Sequence, residues 1–193
     1  MAKAVTLKDK DGNVLYPTTS WDLVGGSESG WQLIAETKLT SNGTSLICTL
    51  PEQYDCYQII ASGEMIQGTS GSWVDLRFLN GVSGIPCTLQ RFMVQGTTMS
   101  TTTHSAVNWQ MSVVQSLNQY DSFIFKMTTC NKQRGANSRP FQGISTCGVS
   151  SFGIGIFNGR LDSATEPTAF QLIAGANMQP NSFIKVFACN KPS

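Results

Sequence analysis

The feature that most constrains the fold of this chain is its regular alternation of short β-forming segments with turn-forming residues. Segments of roughly five to ten residues, rich in Val, Ile, Phe, Tyr and Thr, are separated by Gly, Asn, Ser or Pro. This rhythm is typical of all-β proteins, and helix signals are sparse. The candidate strands are Trp31–Leu39, Thr44–Leu50, Tyr54–Ser62, Trp73–Asn80, Pro86–Gln95, Ala106–Gln115, Tyr120–Cys130, Phe152–Asn158, Thr168–Ala174 and Ser182–Cys189.

Some of these segments show the two-residue period of a half-buried strand. Phe123, Phe125 and Met127 alternate with Ile124 and Lys126, which indicates one packed face. Asn-Gly dipeptides at 42–43, 80–81 and 158–159 are typical of hairpin turns. About ten strands at this spacing predict an antiparallel β-sandwich, and the jelly-roll form is favoured over a barrel.

The first thirty residues differ in character from the rest. Residues 4–8 and 14–17 form two short β-type segments around the turn candidate 9–13, which predicts a small β-hairpin. A hairpin alone is marginally stable in water, so we expect it to pack on a partner. We therefore predict an N-terminal docking hairpin over residues 1–24, a Gly/Ser linker over 25–30 and a β-sandwich domain over 31–193.

The charge balance argues against two classes of partner. Charged residues form 13% of the chain, and thirteen Lys and Arg against twelve Asp and Glu leave a formal net charge of +1. Without a basic patch there is no electrostatic signature of nucleic-acid binding. The chain also has no apolar run long enough for a membrane span, and charge interrupts its opening residues before a signal-type core can build. We expect a protein made in a cytoplasm, with no nucleic-acid or membrane partner.

Metal and cofactor sites are not predicted. The six cysteines, at 48, 56, 87, 130, 147 and 189, are widely spaced without a CxxC pair, so buried reduced thiols are favoured over a zinc site. Asp9, Asp11 and Asn13 match the first ligands of a calcium loop. That loop requires glycine where Val14 stands and glutamate where Ser20 stands, so a tight turn is the better interpretation.

Catalytic residues are equally sparse, and we predict that the protein is not an enzyme. The single histidine, His104, lies in a Thr-rich segment without a nucleophile motif. A carboxylate pair of the glycosidase kind stays open as the weakest alternative, because such carboxylates can meet in space from distant positions. Its candidates are Asp75, Asp121, Asp162 and Glu166.

Ligand recognition is a better functional candidate than catalysis. The polar segments Gly96–Ser105 and Asn131–Pro140 are predicted loops, where a sandwich usually carries its binding residues. The candidate ligand residues there are Thr101, His104, Arg134 and Arg139, with plain solvated loops as the alternative. Aromatic rings suit saccharide faces, and the chain has Trp21, Trp31, Trp73 and Trp109, although the last two stand in strand segments and are expected in the core.

The run Val-Thr-Leu-Lys-Asp-Lys-Asp-Gly-Asn-Val-Leu-Tyr-Pro-Thr-Thr, at residues 5–19, resembles the opening segment of bacteriophage head-fibre and appendage proteins, especially those of gut phages of the crAss-like type. The resemblance implies a virion location, a homotrimer, and docking of this segment on a capsid or other virion protein. A hairpin can dock by adding strands to a neighbour's sheet. The expected docking residues are Val5, Leu7, Val14, Leu15, Tyr16 and Pro17.

Two main functional hypotheses follow. The first is a structural virion protein, either a head fibre or a capsid decoration protein, which also has the potential to touch a host surface glycan. The second is a glycan-binding receptor module at a tail tip, which requires a ligand site on the sandwich.

Overall fold

The computed structural model describes residues 31–51, 54–66, 73–95, 97–106, 109–110, 121–129, 139–148, 153–163 and 165–189. These residues form thirteen strands. The strands are β1 (Gln32–Lys38), β2 (Gly43–Thr49), β3 (Cys56–Glu64), β4 (Val74–Asn80), β5 (Ser83–Gly84), β6 (Cys87–Gln95), β7 (Thr98–Ala106), β8 (Trp109–Gln110), β9 (Ser122–Thr129), β10 (Pro140–Gly148), β11 (Gly153–Leu161), β12 (Ala169–Met178) and β13 (Phe183–Cys189).

The strands are arranged in two antiparallel sheets. The large sheet has eight strands in the order β1-β13-β3-β9-β10-β11-β6-β7. The small sheet has the order β2-β12-β4-β5, and β8 pairs with β4. The inner faces of the two sheets share one hydrophobic core, so the prediction of an all-β sandwich is confirmed.

Aromatic rings join the two sheets across the core. Tyr57 of β3 and Phe170 of β12 have ring centroids 5.8 Å apart. Phe78 of β4 lies 5.1 Å from Phe170 and 5.7 Å from Phe141 of β10. Burial of such rings removes large apolar areas from water, and this is the main favourable term in the stability of a sandwich.

Strand β9 shows why the sequence pattern was informative here. Phe123, Phe125 and Met127 are at most 2% exposed, whereas Ile124 between them is 51% exposed. Successive side chains of a strand point to opposite faces of the sheet. The odd-numbered residues of β9 therefore face the core, and the even-numbered ones lie on the outer face of the large sheet.

The three Asn-Gly signals have different outcomes. Gly81, with φ of 59°, forms the tight turn between β4 and β5, as predicted. The segment at 42–43 instead connects β1 to β2 in different sheets, because β1 pairs with β13 and β2 with β12. The third dipeptide lies within β11, so no turn occurs there.

The prediction of a long loop over residues 96–105 is wrong, and that of a loop over 131–140 is corrected only at its end. Residues 98–106 form β7, which pairs with β6 from Thr98 opposite Gln95 to Ala106 opposite Cys87. Pro140 begins β10, which was not predicted as a strand. The predicted hairpin, the linker and residues 131–138 lie outside the described residues. In the described part of the chain, no helix is long and apolar enough to cross a membrane.

Candidate binding face on the large sheet

A groove runs across the outer face of the large sheet. Its main part has a volume of about 610 Å³ and crosses β7, β6, β11, β10 and β9. A second hollow of about 340 Å³ continues it past Phe92 and Ile156. The main part is lined by Thr88, Gln90, Thr103, Thr128, Pro140, Phe141, Gln142, Asn158, Gly159 and Arg160.

Side chains with amide or hydroxyl groups form one line across this groove. We call the line Thr103, Gln90, Asn158, Gln142 and Thr128 the amide row. Each member is the register partner of the next on the neighbouring strand. Strands lie about 4.8 Å apart, so the row is about 19 Å long. Its amide and hydroxyl groups can each donate and accept hydrogen bonds.

An apolar row lies beside the amide row, two residues further along each strand. It consists of Phe92, Ile156 and Ile144, which are paired in register and are 40%, 55% and 43% exposed. Met99 and Ile124 extend the exposed apolar surface, at 67% and 51%. The outer face therefore combines an amide row with apolar side chains at a spacing of about 7 Å.

One side of the groove is fixed by a short polar network. Arg160 Nε donates a hydrogen bond of 3.0 Å to Asp162 Oδ1, and Thr88 Oγ1 donates one of 2.6 Å to Asp162 Oδ2. The carboxylate thus neutralises the guanidinium that borders the groove. The amide row itself carries no charged side chain, whereas the exposed Lys126 of β9 is the register partner of Ile144 in the apolar row.

The predicted ligand residues do not form one loop site. Thr101 is exposed on β7 beside the apolar row, where it pairs with Phe92. His104 is a β7 residue opposite Leu89 rather than a loop residue. Arg134 lies outside the described residues.

Arg139, which was predicted as a possible ligand residue in a loop, is a buried residue held by contacts within the protein. It is 5% exposed and forms an ion pair with Glu166. Its Nη1 donates to the Asp55 carbonyl at 2.6 Å, and its Nη2 donates to the Tyr54 carbonyl at 3.3 Å. The guanidinium also lies 5.4 Å from the centre of the Tyr57 ring. These contacts engage both terminal nitrogens of a buried side chain, so Arg139 is unsuited to a ligand.

The candidate carboxylates have separate environments. Asp162 binds Arg160, and Glu166 binds Arg139. Asp75 is 5% exposed, and burial raises its pKa to about 7, against the opposing influence of Arg77 and Arg91. Asp121 is also buried. Within the described ranges, no group of three or more His, Cys, Asp or Glu is placed to hold a metal ion.

Cysteines and tryptophans complete the predicted set. Cys48, Cys56, Cys87 and Cys147 are buried thiols, as expected, and Cys189 is partly exposed. Trp73 is half-buried against Gly175, where an added Cβ would lie 2.9 Å from the indole Nε1. Trp21, Cys130 and the predicted docking residues Val5, Leu7, Val14, Leu15, Tyr16 and Pro17 lie outside the described residues.

Sequence reasoning missed the amide row. Its members were dispersed among separate segments, and Gln142 belonged to an unpredicted strand. The detectable signal was the recurrence of Gln, Asn or Thr at alternate positions, as in Thr88 and Gln90 of β6. Deciding which of these residues align requires the strand order and register.

Comparisons with known proteins give little further information. No family model and no curated protein matches the chain. Among solved structures, the chain is similar to one described as a bifunctional GH43-CE protein of Bacteroides eggerthii. The identity is 15%, and the match covers 96% of this chain, 25% of that chain and has a TM-score of 0.36. At this level the likeness carries no argument about function.

Proposed function

We propose that the protein is a structural virion protein, a head fibre or capsid decoration protein, with a docking segment at residues 1–24 and a displayed sandwich. The observation that carries the proposal is the order of two segments along the chain. The segment that resembles phage fibre openings precedes the sandwich, and every described core residue lies between Ile34 and Ala188.

The exposed apolar side chains support an assembled state. Phe92, Ile144 and Ile156 are neighbours on the outer face, and contiguous apolar surface of this kind marks interaction sites. A homotrimer would cover such a face by closed symmetry. Charged substitutions at Ile144 and Ile156 should therefore dissociate the assembly, which light scattering coupled to size-exclusion chromatography measures directly.

The docking part of the proposal is tested by deleting residues 1–24. We expect the truncated chain to keep its β-type circular dichroism spectrum and cooperative unfolding, because the described core extends from residue 34 to residue 188. We also expect it to be lost from particles when it replaces the full chain during infection. Normal incorporation of the truncated chain into particles would contradict the docking role.

A second candidate function is receptor binding at a tail tip, and the amide row favours it. Sugar hydroxyls donate and accept hydrogen bonds at once, as do the side-chain amides of Gln90, Asn158 and Gln142. The apolar row beside them offers a surface for the C–H faces of sugar rings. The groove is long enough for several units of an uncharged glycan, whose binding would need no metal.

Glycan binding is tested with Gln142→Ala combined with Asn158→Ala. The loss of these amides should weaken binding on a glycan array by about tenfold or more, since each hydrogen bond contributes about 1 kcal/mol. Thr49→Ala, at an exposed position on β2 of the small sheet, is the matched control. An array on which the full chain binds no glycan would count against this second function and leave the assembly role unaffected.

A further inference from the structure

Two cysteines face each other across neighbouring strands of the large sheet. Cys56 begins β3 and Cys189 ends β13, and they are register partners in the antiparallel pair. Residues directly opposite in such a pair have Cα atoms about 4.5 or 5.5 Å apart, depending on the pair type. Both distances fall within the range that a disulfide bridges.

The two thiols are also in contact, since a side-chain hydrogen bond joins Cys189 to Cys56. They differ in access to solvent, because Cys56 is 6% exposed whereas Cys189 is partly exposed. Register and contact make the two thiols a pair, and Cys189 is the one that a dissolved disulfide can reach more easily.

The other described cysteines lack this arrangement. Cys48 lies opposite Phe170. Cys87 lies opposite Leu161 and Ala106, and Cys147 lies opposite Gly153 and Phe123. Burial raises the pKa of Cys147 to about 11, and burial together with the neighbouring Cys56 raises the pKa of Cys189 to about 11 as well. Register and contact, not thiol acidity, therefore distinguish the pair.

We propose that Cys56 and Cys189 are a paired oxidation site that closes to a disulfide when the protein meets a low-molecular-weight disulfide. The disulfide would join β13 to β3 by a covalent bond. The proposal is independent of the proposed virion function, because it rests only on the pairing of β3 with β13 and on the contact and exposure of the two thiols.

The reaction takes two exchange steps. The Cys189 thiolate attacks one sulfur of the oxidant, breaks its S–S bond and releases one small thiolate. The Cys56 thiolate then attacks the Cys189 sulfur of the mixed disulfide and releases the second small thiolate. The oxidant gains two electrons, the protein loses them, and the two thiol protons pass to the released thiolates.

The proposal is tested on the full chain with oxidised glutathione as the probe. After the remaining thiols are blocked, mass spectrometry of the intact protein should show that two thiols have been lost and that no glutathione is attached. Peptide mapping should show a crosslink between Cys56 and Cys189. The melting temperature should rise on the order of 5–10 °C and fall again with reductant.

Single variants identify the partners. Cys56→Ser should leave a stable mixed disulfide at Cys189, and Cys189→Ser should abolish both the crosslink and the melting shift. Cys130→Ser is the matched control, since this residue follows directly after β9, the other neighbour of β3, and it should retain the crosslink. A crosslink lost in Cys130→Ser but kept in Cys189→Ser would overturn the assignment. The assignment would also be overturned if Cys56 and Cys189 stayed unreacted in the folded wild type under conditions that oxidise the urea-unfolded chain.

Discussion

Two glycines of the large sheet lie directly opposite aromatic rings. Gly143 of β10 pairs with Phe157 of β11, and Phe141 of β10 pairs with Gly159 of β11. The rings are 1% and 3% exposed, so each covers the bare backbone of the opposite glycine on the inner face. This reciprocal arrangement gives both rings space that no larger side chain would leave.

Alanine at either glycine should therefore destabilise the fold. A Cβ at Gly143 would lie 2.4 Å from Phe157 Cζ and 2.6 Å from the Lys126 carbonyl oxygen, and one at Gly159 would lie 2.3 Å from the Thr88 carbonyl oxygen. We expect each substitution to lower the free energy of unfolding by about 1–3 kcal/mol in urea titrations.

The control is Gly43→Ala, because its nearest contact would be an ordinary 3.4 Å to Leu39. Its effect should stay within about 0.5 kcal/mol. Equal effects at the three sites would show that the change in unfolding free energy comes from the conformational entropy of glycine and not from steric crowding.

Residue roles were only partly predictable from the sequence. The buried residues of β9 could be identified because their neighbours alternate in polarity. The role of Arg139 could not, because Tyr54, Asp55 and Glu166 reach it from distant parts of the chain. In the sequence alone, an arginine in a polar segment cannot be distinguished from a ligand-binding residue, because its partners in the folded protein are not known.

Strands β7 and β10 explain why the element pattern was incomplete. β7 is rich in Thr and Ser and is an edge strand, so it lacks the apolar alternation that identifies a packed strand. In β10 the polarity is inverted, because Gly143 and Ser145 face the core side while Ile144 is 43% exposed. Strong pairing with neighbours holds both strands in place despite these weak local signals.

Hydrogen exchange can distinguish strand β7 from a polar loop. An edge strand bonds its amides to one neighbour, so alternate amides over residues 98–106 should exchange slowly and the intervening ones quickly. The exposed turn residue Val82 provides a fast reference within the same protein. Uniformly fast exchange over residues 98–106, measured by NMR, would contradict the strand.

The stability of the whole molecule should depend on the protonation of Asp75. Burial raises its pKa from 3.8 to about 7, so the folded state holds a proton that the unfolded state releases. The associated stability is fully present below pH 3.8 and is lost as the pH rises to about 7.

Asp75→Asn removes this titration and keeps the shape of the side chain. Its stability relative to the wild type should rise by up to about 4 kcal/mol between pH 4 and pH 8. Urea unfolding at closely spaced pH values measures the difference and cancels the titrations that the two proteins share. Parallel curves for the two proteins would show that Asp75 is already ionised in the folded state.

The pairing of β1 with β13, the first and the last strands along the chain, has a mechanical consequence. Gln32 and Ala188 are register partners, so the chain enters and leaves the described sandwich at adjacent points. A force that pulls these two points apart would load the hydrogen bonds between β1 and β13 one after another, as a zipper opens. Tension between Gln32 and Phe183, which lie at opposite ends of the same strand pair, would instead load these hydrogen bonds together in shear. The position of the attachment points would thus determine how much load the body of the protein withstands.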